Sequence, residues 1–247
     1  MEIRREELFQ SLGSLRKSFL YFIGTIVLLS LIIFPFAKEL LRHLHRSLQE
    51  DLVAYGIPEA FLSLLKLTLF ASLFLSVPIV FSYFWKAFSP LFRKRGLESS
   101  SFVLLAAILL FYSGAAFCYF VTLPFGIQFL MGYQSATIKP MISVAKYISF
   151  CVGFIFAFGL VFELPLILAL LSYIRVVNAS FLTRNRRYAI LIMAILSAVL
   201  TPTPDIFNMA LMGGPLYVLF EIGVLLVKII ERKRTASDHL SSGSVEK

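Results

Sequence analysis

The sequence predicts an all-α polytopic membrane protein: six transmembrane helices with both termini in the cytoplasm. Three observations predict it. Of 247 residues, 59% are hydrophobic and 15% charged, with a mean hydropathy of +0.86. Soluble domains run at about 45–50% apolar and about 25% charged. Six stretches carry almost no charge and approach the ~20 residues that a helix needs to cross the hydrocarbon. Lys and Arg segregate between alternate loops, 17 to one side and 6 to the other. The net charge of +9 therefore reads as basic cytoplasmic loops and not as a nucleic-acid surface.

The spans follow from the gaps between charges. The first, about 18–37, covers the uncharged run Phe19 to Ala37. It is too long for a secretory signal peptide and no small-x-small site closes it. The second, about 67–86, contains Leu67 to Trp85. The uncharged run Ser99 to Ile138 is too long for one crossing; Pro124 and Gly126 end the third span near Leu123, giving about 100–123. The fourth, about 147–174, holds one charge, Glu163. The fifth, about 188–203, is short and closes at Pro202 and Pro204. The sixth, about 206–228, contains Glu221. Residues 1–232 thus form one membrane domain, and the Ser-rich stretch 233–247 is expected to be a disordered cytoplasmic tail.

An even number of spans puts both ends on one side, and the positive-inside rule says which. Arg4, Arg5, Arg16 and Lys17 lead the chain; Arg93 to Arg95 and Arg184 to Arg187 fall in loops on the same side. These basic clusters also suit anionic lipid headgroups. In the first outer loop, Leu40, Leu41, Leu44, Leu48 and Leu52 recur at helical spacing between polar residues, which predicts an amphipathic helix lying on the outer membrane face or capping the bundle.

No constellation for bond chemistry appears. His43, His45 and His239 lie outside the spans, and no zinc, nucleophile-elbow or phosphate-loop motif is present. Cys118 and Cys151 read as small buried hydrophobes. No metal or cofactor is expected.

The polar residues inside the spans carry the functional argument. Glu163 lies about 16 Å from Ile174 along a helix, near mid-membrane. An ionised side chain there costs on the order of 3 kcal/mol or more. Its helical neighbours Gly159, Leu160, Leu166 and Ile167 are apolar. It therefore needs a partner on another helix, a watered hollow or another protein, or it carries a proton. Pro165, Pro78 and Pro35 allow bent helices. Asp205 is placed to cap span six, and Glu221, seven residues before Lys228, can reach the cytoplasmic interface.

These residues fall in a known order. Pro58-Glu59-Ala60-Phe61 before Leu65-Lys66-Leu67, Phe84-Trp85 through Phe88-Ser89-Pro90, and Leu109 to Gly114 with Leu123-Pro124 resemble the TatC family. So do Phe158-Gly159 through Phe162-Glu163-Leu164-Pro165, Leu200-Thr201-Pro202 with Pro204-Asp205, and Leu219-Phe220-Glu221-Ile222. The resemblance covers about residues 10 to 232. It implies a receptor subunit of the twin-arginine translocase: a bent, concave bundle that binds twin-arginine signal peptides of folded precursors on its cytoplasmic face. It also implies recruitment of single-span TatA/TatB-type subunits into a hetero-oligomer driven by the proton-motive force, in the bacterial inner membrane.

By matching position, the signal-peptide site is assigned to Leu12, Ser14, Leu15, Arg16, Phe88, Pro90 and Glu98, and the intramembrane contacts to Glu163 and Glu221. Pro58 and Asp205 belong to the outer loops. The chain departs from the family twice. Ser14 stands where the family has a glutamate before a Leu-Arg pair, and Gly96 where it has a second, with Glu98 two residues on. An arginine fork pairs best with carboxylates. Two alternatives stay open: a family member with a partner-binding role only, and a proton- or cation-coupled small-solute transporter using Glu163.

Overall fold

The computed structural model describes residues 22–45, 48, 51–93, 100–132, 141–200 and 206–242. It is almost wholly helical, and the chain forms two compact units, 1–88 with 131–153 and 89–130 with 154–247. Among the described residues, five helices are long and apolar enough to cross a membrane: Phe22–His45, Ile57–Tyr83, Ser101–Phe129, Val144–Tyr173 and Met212–Arg232. The short helix Arg186–Leu200 joins them.

In the first unit, α1 (22–33) presents mostly exposed side chains, among them Val27, Leu28, Leu31 and Ile32, as lipid-facing carbon. Pro35 lacks the N–H that an α turn needs, and a 3-10 turn, Phe34–Phe36, follows. Helix α2 (Ala37–His45) continues it, with Leu44 buried while Glu39, Arg42 and His43 stay out. The expected amphipathic helix therefore exists but stops at His45. Leu52 is not on it; it lies in strand β1 (Leu52–Val53), paired in parallel with β2 (Ile142–Ser143). Leucine spacing alone does not mark where a helix ends, and here sheet pairing claims the last of the series.

Helix α3 (Ile57–Arg93) starts ten residues before the expected second span. Pro58 suits a first helical turn, and Glu59 accepts from the Tyr55 N–H at 2.6 Å, capping it. Lys66 does not interrupt the helix, because a long cationic side chain carries its charge away from the apolar surface. Ser63, Thr68, Ser72 and Ser76 are buried along it. The last three return their hydroxyls to carbonyls of their own helix, which leaves a narrow surface that neighbours approach closely. Ser72 also meets Ser30 of α1 at 2.8 Å.

In the second unit, α4 (Ser100–Phe117) passes into a π-helical turn, Cys118–Thr122, and then α5 (Leu123–Met131). The third helix does not end near Leu123 as expected. The π turn shifts the bonding pattern, Leu123 N–H bonding back to Cys118 O, so that Pro124 enters the first turn of a new α segment where its missing N–H is not needed. Helix α6 (Val144–Phe162) is followed by α7 (Leu164–Tyr173), α8 (Ala179–Arg184), α9 (Arg186–Leu200) and α10 (Ile206–Ser242). Leu216, Phe220, Val224 and Val227, three or four residues apart on α10, build the core with Ala179, Leu182 and Met193. Helix α10 runs on to Ser242, through the stretch expected to be a disordered tail. No Pro or Gly lies between Gly223 and Gly243 to stop it.

Candidate functional site

Glu163 sits at the join of α6 and α7, in the second unit. Its N–H bonds back only three residues, to Leu160 O at 3.1 Å, and Pro165 in the next turn donates nothing. The regular ladder is thus broken where the carboxylate stands. The packing around it is tight. A Cβ added to Gly114 of α4 would lie 2.6 Å from Phe162 Cγ and 2.7 Å from Phe158 O, and one added to Gly159 would lie 2.6 Å from the Phe111 ring. These paired glycines bring α4 and α6 into direct contact. Beyond them Gly223 of α10 faces Leu168 and Pro165 of α7.

Glu163 is 8% exposed. The Phe111 backbone stands beside its carboxyl, yet Oε1 is buried with no hydrogen-bond partner among the described residues. Most buried polar atoms in folded proteins are paired. This one is left free to accept.

Glu221 is different. Its Oε2 lies 2.9 Å from Arg186 Nη2, and its Oε1 accepts from Tyr217 Oη at 3.0 Å. Tyr217 is four residues back on the same helix and visible in sequence; Arg186, brought in by α9, is not. Nearby, Glu231 Oε1 accepts from Ala179 N at 3.0 Å and caps α8. Between α9 and α10 runs an apolar groove of about 360 Å³, lined by Met193, Ala194, Ser197, Ala210, Gly213 and Tyr217 among others.

In the first unit, Pro58 begins a second cluster that sequence reasoning missed. Ser143 Oγ donates to Glu59 Oε1 at 2.5 Å, Tyr55 Oη to Met141 O at 2.7 Å, Tyr147 Oη to Leu44 O at 2.8 Å, and Lys66 Nζ to Ser149 Oγ at 2.6 Å. Only the resemblance quoting Glu59 and Lys66 as loop residues signalled this region.

Leu12, Ser14, Leu15, Arg16, Glu98 and Asp205 lie outside the described residues. Phe88 and Pro90 fall within α3. Cys118 and Cys151 are buried free thiols. Among the described residues no group of His, Cys, Asp or Glu gathers as a metal set.

Known proteins resemble this chain over most of its length. The family model for the Sec-independent protein translocase protein (TatC) matches residues 10–215. A Sec-independent protein translocase protein TatC of Carboxydothermus hydrogenoformans is 32% identical over 241 residues, covering 96% of this chain and 99% of that protein. Its counterpart from Desulforapulum autotrophicum is 37% identical over 190 residues, 76% of this chain and 70% of the other. A crystal structure of the twin-arginine translocase receptor TatC superposes with a TM-score of 0.75 at 32% identity, over 88% of this chain and 98% of that one.

Proposed function

The chain belongs to the TatC family of Sec-independent protein translocase proteins, and from that premise we propose how its residues serve translocation. As a family member it is a multi-pass inner-membrane subunit of the Tat translocase, a receptor component and not an enzyme. On our reading its cytoplasmic face binds twin-arginine signal peptides, through Leu12, Ser14, Leu15 and Arg16 together with Phe88, Pro90 and Glu98. With Ser14 and Gly96 in place of acids, Glu98 is the carboxylate left to pair with the arginine fork. Single-span partner subunits then dock, and folded cargo crosses at the expense of the proton-motive force.

The observation that carries the reading is the unpartnered Oε1 of Glu163. Glu221, nearer the cytoplasmic interface, has both carboxylate oxygens answered within its own fold. Glu163 keeps an acceptor for a group brought by a signal peptide or a partner helix. The groove between α9 and α10 supports a docking role: Ala194, Ser197, Ala210 and Gly213 let another helix backbone approach closely. Helix α9, 15 residues and therefore ~22 Å long, leaves apolar depth beside it for that helix to fill.

The test is photo-cross-linking in membranes to a twin-arginine signal peptide and its twin-lysine control. Selective capture of the arginine form at residues 11–16 and 88–98, lost in Glu98→Gln, is the expected result. Glu163→Ala should lower transport of folded cargo by about tenfold or more with insertion intact, the factor that ~1.4 kcal/mol of lost engagement gives. Equal capture of both peptides with intact partner cross-linking would leave a partner-binding role alone. Solute flux in vesicles holding only this protein would favour a transporter.

A further inference from the structure

Glu59, Leu62, Ser63 and Lys66 stand at i, i+3, i+4 and i+7 on α3, a single stripe at the end that the charge distribution assigns to the outer face. With Pro58, and with Ala145 of α6, they line a notch of about 290 Å³ inside the first unit. Pro58, Leu62 and Ala145 give it carbon walls. Ser63 is 2% exposed, and its Oγ is buried with no hydrogen-bond partner among the described residues. That is unusual on this helix, where Thr68, Ser72 and Ser76 each return their hydroxyl to a carbonyl three or four residues back. A buried hydroxyl left unpaired is costly, and a ligand acceptor would relieve it.

Two charges of opposite sign frame the notch. Lys66 Nζ uses one of its three N–H donors on Ser149 Oγ, 2.6 Å away. Glu59 accepts from Ser143 and from the Tyr55 N–H, the Gly56 and Ala145 backbone also stands at its carboxylate, and its negative charge lines the notch. Lys66 immediately precedes the uncharged run that starts at Leu67. Side chains on a helix lean toward its N-terminus, so the ammonium rises from the hydrocarbon boundary to phosphate level. Leu62, Leu65 and Leu69 are exposed along the same helix, as a track for hydrocarbon chains.

We propose that this notch binds a phospholipid with a phosphoethanolamine headgroup. Its phosphate accepts from Lys66 Nζ and Ser63 Oγ, and its ammonium donates to the Glu59 carboxylate. Its acyl chains run along Leu62, Leu65 and Leu69. Charge complementarity selects this occupant. A headgroup with net negative charge meets Glu59 unpaired, and a choline headgroup has no N–H to offer it.

The experiment uses the full chain, purified and stripped of lipid. It is mixed with equal amounts of phosphatidylethanolamine, phosphatidylglycerol and phosphatidylcholine of identical chains, and retained lipid is counted by native mass spectrometry. The expected result is retention of the ethanolamine lipid about tenfold over the others, the preference that a charge-assisted hydrogen bond supports. Ser63→Ala lowers that retention about fivefold, and Lys66→Gln about tenfold or more. Glu59→Gln removes the discrimination against phosphatidylglycerol. Ala145→Leu fills the notch without touching a charge and displaces the lipid, so the answer does not hang on Lys66→Gln folding well. Equal retention of the three lipids by the wild type, or undiminished retention in both Ser63→Ala and Ala145→Leu, overturns the site. The readout is lipid alone, and it stands apart from any loss of cargo transport.

Discussion

Glu163 and Glu221 are both carboxylates in apolar helices, and their neighbours separate them. Glu221 is answered by Arg186 and Tyr217, with the two charged side chains 44% and 31% exposed. Such a pair contributes little: Glu221→Gln should cost under ~1 kcal/mol in thermal unfolding of the detergent-purified protein. Glu163, at 8% exposure, has the Phe111 backbone beside its carboxyl and an Oε1 with no partner among the described residues. Its substitution should show in partner engagement more than in stability.

At the scale of elements, glycine decides how closely helices meet. The site of an added Cβ on Gly114 is occupied by the Phe162 ring and by the Phe158 carbonyl, a backbone atom that does not step aside. Gly114→Ala should destabilise by ~1–3 kcal/mol, as overpacking does. Gly153, with nothing within 4 Å of an added Cβ, is the control. Gly153→Ala, inside helix α6, should be neutral or stabilising by up to ~1 kcal/mol. Thermal melts of the two variants check both. Arg175, after α7, adopts φ 65°, the left-handed conformation that usually closes a helix with glycine, and its N–H bonds to Ser172 O at 2.9 Å. Arg175→Gly should hold or raise the melting temperature, gaining up to ~1 kcal/mol of relieved strain. Prolines tell a parallel story. Pro35 meets a 3-10 turn, Pro124 follows a π turn, and Pro165 sits just after the break at Glu163. Each is legible in sequence as an interruption, but whether the helix stops or resumes depends on how the adjacent turn absorbs the missing N–H.

For the whole molecule, the orientation prediction is open to direct measurement. Single cysteines introduced at residues 94–98 and at Arg184 should react with an impermeant maleimide only from the cytoplasmic side. A cysteine at Tyr55 should react only from the outside, and the reverse pattern would overturn the placement of both termini. By itself the sequence determined that the chain is helical, multi-pass and devoid of catalytic motifs, since composition, charge-free run length and Lys/Arg segregation are properties of the chain that the bilayer reads segment by segment. It also singled out Glu163, because a lone carboxylate in an apolar run is conspicuous without any fold. Only tertiary structure decided that Glu221 meets a cation while Glu163 Oε1 has no partner among the described residues, since Arg186 lies 35 residues from Glu221 in sequence and reaches it through the packing of α9 on α10. It likewise decided that Leu52 joins a strand with Ile142, that Ser63 Oγ has no partner among the described residues, and that Gly114 and Gly159 face aromatic rings. The reason is common to all of these: partners distant along the chain leave no periodic trace in it, and only folding brings them within the few ångströms over which hydrogen bonds and steric contacts act.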